Sequence, residues 1–399
     1  MAFVRLLLAL LVLLAALPGQ AQTLKPLTVH FFDVGQGDAA LIISPSGKTV
    51  LIDGGPPEAD DRLVPRVREL VKGPLDLVIL SHPHLDHLGG MGKVIQAVGV
   101  RRYMDPGFDH GSEAYRKLLD VVGKAAEKVM TPTPNPSAPE TLLTIGLGEG
   151  ATLTILWPRS PQDAFLDRTR SDVNANSIVA KLTYGNTAFL FMGDAEPETE
   201  EFLLRKPIDF TATVLKVGHH GARHSSTEPF LAAVQPQAAI ISSGKGNEYG
   251  HPTEEALQRL GDVGARIFRT DQQGEIRAVS NGTTVTFTTE KNQRAPAVVT
   301  GKVRSGAVAT GPMREGSGKD STTARVMNAR GTLPERQEAM PASGTLSSGS
   351  ERYVSLKGSD VFHRENCTAL KRARTQERTQ YTTRSAAQRE RRAAKDCNP

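Results

Sequence analysis

The stretch Leu80-Ser81-His82-Pro83-His84-Leu85-Asp86-His87-Leu88-Gly89-Gly90 decides how this chain folds and what chemistry it can carry. It follows an apolar run at 77–80 directly, so a strand delivers the backbone into a loop where four metal-competent side chains fall within six residues. Imidazole nitrogens and carboxylate oxygens both bind zinc-like ions. A loop at the C-terminal end of a strand can point His82 and His84 at one ion while Asp86 and His87 reach a neighbouring one. Only 10 histidines are spread over 399 residues, so three of them beside an aspartate at this spacing argue against an incidental surface loop.

Outward from this loop, short apolar runs alternate with Gly, Pro and Asp punctuation over residues 25–290. The spacing predicts strands at 27–32, 40–43, 50–52, 77–80, 188–192 and 238–241. It predicts helices at 63–72, 112–129, 196–204 and 253–260. Strands mixed with helices over this length give an α/β domain whose sheets are covered by helices. Gly35-Gln36-Gly37 is not a dinucleotide loop, because no third glycine follows and a strand resumes. No internal repeat is present.

Several further motifs lie in order along the same region. They are Asp33-Val34-Gly35-Gln36-Gly37-Asp38, Leu51-Ile52-Asp53-Gly54-Gly55, Met192-Gly193-Asp194-Ala195-Glu196, Lys216-Val217-Gly218-His219-His220-Gly221 and Tyr249-Gly250-His251-Pro252. Together with the histidine loop they resemble the metallo-β-lactamase superfamily over residues 27–290, and within it the ComEC-like branch of competence-protein hydrolase domains. The resemblance implies a four-layer αββα sandwich with a metal site at one sheet edge. It also implies roles. His82 and His84 would hold a first divalent ion, Asp86 and His87 a second, and Asp194 would bridge both, with a helix cap as its plain alternative. Asp53 would orient a ligand histidine, or serve only as a turn residue. The last ligand of the second ion would come from His219 or His220, His219 being narrowly favoured, and His251 is a further candidate as ligand or proton donor.

The wider superfamily places another histidine between the loop and the bridging Asp. Here that place holds Asn174-Ala175-Asn176-Ser177, and the one intervening histidine, His110, lies far from it in sequence. One or two ions are expected per chain, zinc foremost, with Mn²⁺ or Mg²⁺ tolerated at an oxygen-rich first site. The implied chemistry is hydrolysis by a metal-activated hydroxide, with Asp86 orienting it and Lys245, Asn247 and Tyr249 contacting an anionic substrate. His30, His110 and His224 receive no role.

The ends of the chain differ from its middle. Arg5 precedes an apolar run at 6–17, too short to span a bilayer comfortably, and small residues follow at 18–21, so residues 1–22 read as a secretory signal peptide, with an uncleaved N-terminal anchor as the alternative. Residues 1–290 hold 27 basic and 33 acidic side chains, net −6, whereas 291–399 hold 21 and 10, net +11. Any electrostatic attraction to a polyanion therefore belongs first to the tail. Residues 291–350, rich in Gly, Ser, Thr, Ala and Pro and lacking aromatics, read as a disordered linker. Residues 351–399 form a small basic module with both cysteines, where Cys367 and Cys397 would form a disulfide or, with His363, a degenerate zinc site.

The expectation is an exported hydrolase, periplasmic or extracellular, with no integral membrane segment after signal cleavage and no protein partner implied. A phosphodiesterase or nuclease acting on nucleic acid leads. A hydrolase of small phosphoesters (phosphocholine-type), lactones or β-lactams is the second reading, and a non-catalytic secreted nucleic-acid- or wall-binding protein the third.

Overall fold

Strands such as Thr49–Ile52, Leu77–Ile79 and Ala238–Ile241 are apolar almost throughout and buried at every residue, as strands covered on both faces must be. A computed structural model describes residues 25–108, 110–291 and 296–302, with the strands Tyr353–Leu356, Val361–Arg364, Arg378–Tyr381 and Arg392–Ala393. Among these residues a nine-stranded sheet runs in the order Ala297–Thr300, Thr284–Thr289, Ile276–Ser280, Leu27–Phe31, Ala40–Ile43, Thr49–Ile52, Leu77–Ile79, Val100–Met104, Ala126–Met130. A seven-stranded sheet runs Arg266–Arg269, Ala238–Ile241, Val214–Lys216, Thr187–Phe191, Val179–Tyr184, Ala151–Trp157, Leu143–Gly148.

The side-chain period of two sorts the core into layers. Val50, Ile52, Leu77 and Ile79 point inward and pack against Leu153, Ile155, Leu182 and Phe189 of the other sheet. Their neighbours Leu51 and Val78 point outward, onto Leu63, Val67, Val94, Ile95 and Leu118 of the helices Asp60–Leu70, Met91–Val98 and Glu113–Ala125. On the second sheet Leu190, Leu215 and Ala239 face Leu203, Phe230 and Leu260 of Pro197–Leu204, Glu228–Val234 and Glu254–Asp262. The architecture is thus an αββα sandwich. Thr49–Ile52, Leu77–Ile79 and Val100–Met104 run parallel, as do Thr187–Phe191, Val214–Lys216 and Ala238–Ile241. The loops leaving their C-terminal ends therefore gather at one edge of each sheet.

Two expectations change. The predicted helix at 112–129 stops at Ala125, and Ala126–Met130 is instead an edge strand parallel to Val100–Met104. Ala126, Glu127 and Lys128 are good helix formers, and sheet pairing overrides that preference. The main domain does not end at 290, because Ala297–Thr300 pairs antiparallel with Thr284–Thr289. The polar break before Pro296 hides this last strand, so the expected linker at 291–350 starts too early. In the terminal unit, the four described strands pair as one sheet and Val354 is buried. His363 lies on Val361–Arg364; Cys367, Cys397, the expected signal peptide at 1–22 and residues 303–350 lie outside the described residues. Among the described residues no helix is long and apolar enough to cross a membrane.

A buried polar network ties the helix layer to the first sheet. Glu275 accepts from His30 Nδ1 at 2.7 Å and from Arg66 Nε and Nη2 at 2.8 and 3.0 Å. Burial alone raises a carboxyl pKa, but these hydrogen bonds hold Glu275 down, from 4.5 to about 2. A lowered folded-state pKa stabilises the protein fully above the unfolded value, and that contribution is lost as pH falls from 4.5 toward 2. Between neutral pH and about pH 3, urea unfolding should show wild type losing roughly 2 kcal/mol more than Glu275→Gln. Equal losses in the two proteins would remove Glu275 from the acid response.

Candidate metal centre

The ligand loops are positioned by backbone before any ion is considered. Leu77–Ile79 runs into His82, the short helix Leu85–Leu88 carries Asp86 and His87, and Met192-Gly193 carries the chain from Thr187–Phe191 to Asp194. Asp38 N donates to the Asp86 carbonyl and Gly54 N to the His87 carbonyl, so the first two motifs cradle the histidine loop. At Gly37, with φ of +148°, any side chain would collide with that same Asp86 carbonyl. After Val214–Lys216, His219 and His220 both adopt left-handed backbone, φ 47° and 54°. Two consecutive non-glycine residues there are strained, and such strain persists only where the surroundings over-determine it.

Two groups of donor atoms converge and share one carboxylate. The first comprises His82, His84 and Asp194, with His82 Nε2 3.0 Å from His84 Nδ1 and 3.7 Å from Asp194 Oδ2. The second comprises Asp86, His87, Asp194 and His220. In it, His87 Nε2 and His220 Nε2 lie 3.3 and 3.5 Å from Asp194 Oδ1, and 3.8 and 3.2 Å from Asp86 Oδ2. Donors about 2.0–2.2 Å from a tetrahedral zinc stand roughly 3.3–3.6 Å apart, so the second group fits a divalent ion. His87 Nε2 and Asp194 Oδ1 are buried without a hydrogen-bond partner among the described residues. They face each other at 3.3 Å, and a shared cation would satisfy both. A third grouping, Asp38, Asp53 and His87, has its carboxylates engaged by Ser81 and Lys216.

Of the two adjacent histidines, His220 belongs to the second donor group, whereas His219 turns its Nδ1 to Glu196 Oε1 at 3.1 Å and holds its Nε2 3.8 Å from Asp194 Oδ2. Two adjacent imidazoles are equivalent on paper, and the left-handed turn separates them. Nor is Asp194 a helix cap, since the residue capping Pro197–Leu204 is Glu196. Ser177 Oγ accepts from Asp194 N, Asn174 Nδ2 donates to Glu196 Oε1, and Asn176 is bonded to Leu166 and to the Asp172 carbonyl. The segment 174–177, which stands where the wider superfamily has a histidine, thus braces the bridging loop through Ser177 and Asn174.

Supporting groups hold the ligands from behind. Asp53, left-handed at φ 60°, accepts from Ser81 N and Ser81 Oγ at 2.7 Å and lies 2.9 Å from His87 Nδ1. Lys216 and Asp38, with no assigned role in the sequence, form a buried ion pair at 2.7 Å. Asp38 Oδ1 in turn lies 3.4 Å from His220 Nδ1, which also faces the Ser242 carbonyl at 3.0 Å. A lysine inside the apolar run 214–217 was the available signal, since a cation buried in a strand requires a partner.

Protons and metal ions compete for these groups. Burial disfavours charge on His87 and His220, but Asp194, Asp86 and Asp53 hold His87 well above its usual value, and Asp194, Asp38 and Asp86 hold His220 at about 10. Burial and the neighbouring His87 keep His82 well below. The Asp194 carboxyl, opposed by burial, is held well below the carboxylate range by His220, His87 and His219. A metal dication would compete with those imidazole protons for the same ring nitrogens.

The rim differs from expectation at three residues. Asn247 accepts from Tyr249 N and His251 N and donates to the carbonyls of Gly244 and His251, so its amide closes the loop 244–251 rather than facing a substrate. His251 is in no donor group, and burial, with His219 and His220 beside it, lowers its pKa to about 4. His110, given no role, stands with its ring 6.2 Å from that of His84, because the loop after Val100–Met104 returns to the site. Lys245 and Tyr249 are exposed on the loop 244–251.

Residues 32–161 match the sequence family described as the Metallo-beta-lactamase superfamily. ComE operon protein 3 of Bacillus subtilis is 30% identical over 269 residues, 62% of this chain and 32% of that protein. Competence protein ComA of Neisseria gonorrhoeae is 29% identical over 250 residues, 62% and 32% respectively. The chain thus spans about a third of the length of these curated relatives. The metallo-beta-lactamase fold protein YhfI from Bacillus subtilis, solved by crystallography, is 13% identical, with 64% of this chain and 100% of that one covered at a TM-score of 0.42.

Three substitutions separate ligand from support. His220→Ala should remove one ion per chain in metal analysis, whereas His219→Ala should keep the full content; the opposite pattern would restore His219 as ligand. Lys216→Met should keep the ions but weaken them about 10- to 100-fold in a competitive chelator titration, as loss of outer support does at other metal sites.

Proposed function

We propose that this member of the metallo-β-lactamase superfamily, related to the competence proteins, is an exported metal-dependent phosphodiesterase that cleaves nucleic acid. The observation that carries this reading is Asp194, whose Oδ1 faces His87 and His220 while its Oδ2 faces His82 and His219. A carboxylate shared by two donor groups suits a pair of ions about 3.5–4 Å apart, the arrangement that clamps both sides of an in-line displacement at phosphorus.

When bound, divalent ions supply hydroxide near neutral pH and offset the charge that builds on the attacked centre. The remaining work falls to the chain. Asp53 and Ser81 fix the orientation of His87, and the Asp38–Lys216 pair fixes His220. Asp86, with 31% of its side chain exposed against 3% for Asp194, faces the open side and orients the attacking oxygen. Its carboxyl is opposed by burial but held low by His87 and His220, so it is ionised and accepts hydrogen bonds. Imidazole-rich donors favour zinc, and the three-donor group that includes His82 and His84 tolerates Mn²⁺ as well.

Export is supported by the apolar run at 6–17 behind Arg5, and a polyanionic substrate by the net +11 of residues 291–399. The full chain loaded with zinc or manganese is to be assayed on single- and double-stranded DNA, RNA, bis(p-nitrophenyl)phosphate, a phosphocholine ester and nitrocefin. Phosphodiester cleavage should appear and Asp194→Asn should lower it on the order of a thousandfold, with loss of bound ion. Fully loaded protein that hydrolyses nitrocefin or the phosphocholine ester but no nucleic acid would overturn the reading.

A further inference from the structure

Tyr249 is the most exposed large apolar side chain among the described residues, 69% open to solvent. Scattered exposed aromatics are ordinary, but this one is held in place beside the metal centre. Its ring stacks on His251 at 5.8 Å with 26° between planes, and His251 lies 5.5 Å from His219 and 6.5 Å from His220. Tyr249 is therefore two ring-to-ring steps from a ligand of the second donor group, with one face covered by His251 and the other turned outward. The four hydrogen bonds of Asn247 hold the loop that presents it, so little freedom remains to be lost when a flat partner docks. The same loop exposes Lys245. An aromatic face together with a cation is the combination by which proteins hold single-stranded nucleic acid, the ring taking a base and the cation a phosphate.

We propose that Tyr249 is a stacking platform for a nucleobase next to the scissile phosphodiester, which makes single-stranded nucleic acid the substrate class of this centre. The inference rests on the phosphodiesterase reading and narrows it. In a duplex each base face is already covered by its neighbours, so the platform has nothing to receive; an unpaired strand can turn one base out onto the phenol ring.

The full chain carrying Tyr249→Trp tests this without turnover. Trp157, the single native tryptophan, is fully buried, so the new indole is the one exposed reporter. A short single strand should quench its fluorescence, while an abasic strand of equal length and a duplex should not. In steady-state assays Tyr249→Ala should raise KM for the single strand about 5- to 150-fold, the span of one lost base stack, with kcat within a few-fold and Tyr249→Phe near wild type. An unquenched indole, or an unchanged KM in Tyr249→Ala with cleavage intact, overturns the platform and leaves the hydrolase reading in place. Quenching by the single strand with no strand cleaved by wild type overturns the phosphodiesterase reading and keeps the platform.

Discussion

Four carboxylates, those of Asp38, Asp53, Asp86 and Asp194, are brought from four loops into a small volume, and at least three of them are almost wholly buried. Like charges in a dry interior are costly unless cations compensate them, and this constraint organises the edge of the sandwich. Lys216 answers Asp38, Ser81 and His87 answer Asp53, and the remaining imidazoles answer Asp86 and Asp194. The loop geometry follows from the same requirement. A tight approach at Gly37, left-handed backbone at Asp53, His219 and His220, and short-range hydrogen bonds around Ser177 and Glu196 place the compensating groups.

The two sheets make this convergence possible. Because the central strands of both run parallel within their sheet, their C-terminal loops emerge on one side. Ligands therefore arrive from elements far apart in sequence yet built on rigid, doubly covered strands. His82 and His220 stand 138 positions apart and still belong to groups joined by one aspartate. Leu51 and Val78 anchor two of these strands against the helix layer.

Much of this was legible before any coordinates. The histidine loop and the apolar runs carry their meaning locally, so an α/β domain with metal-competent side chains at 82, 84, 86 and 87 could be read directly, while the four-layer sandwich and the bridging role of Asp194 came with the family resemblance. What could not be read depended on three-dimensional partners. Helical propensity at 126–128 yields to pairing with Val100–Met104, and the last strand hides behind a polar break until Thr284–Thr289 offers it an edge. His219 and His220 differ only in the direction a strained turn gives them. Asn247 resembled a substrate contact because polar loop residues are common to both roles, and only its bonds to 244, 249 and 251 reveal a clasp.

That clasp has a wider meaning. Every bond that Asn247 makes begins and ends inside the segment 244–251, so the segment behaves as a cassette whose internal shape is independent of the residues at its tip. The exposed Lys245 and Tyr249 can vary while the asparagine and the catalytic ensemble stay fixed. Diversification of ligand preference in such a scaffold can proceed by exchanging one fingertip, with the ion-holding machinery inherited intact.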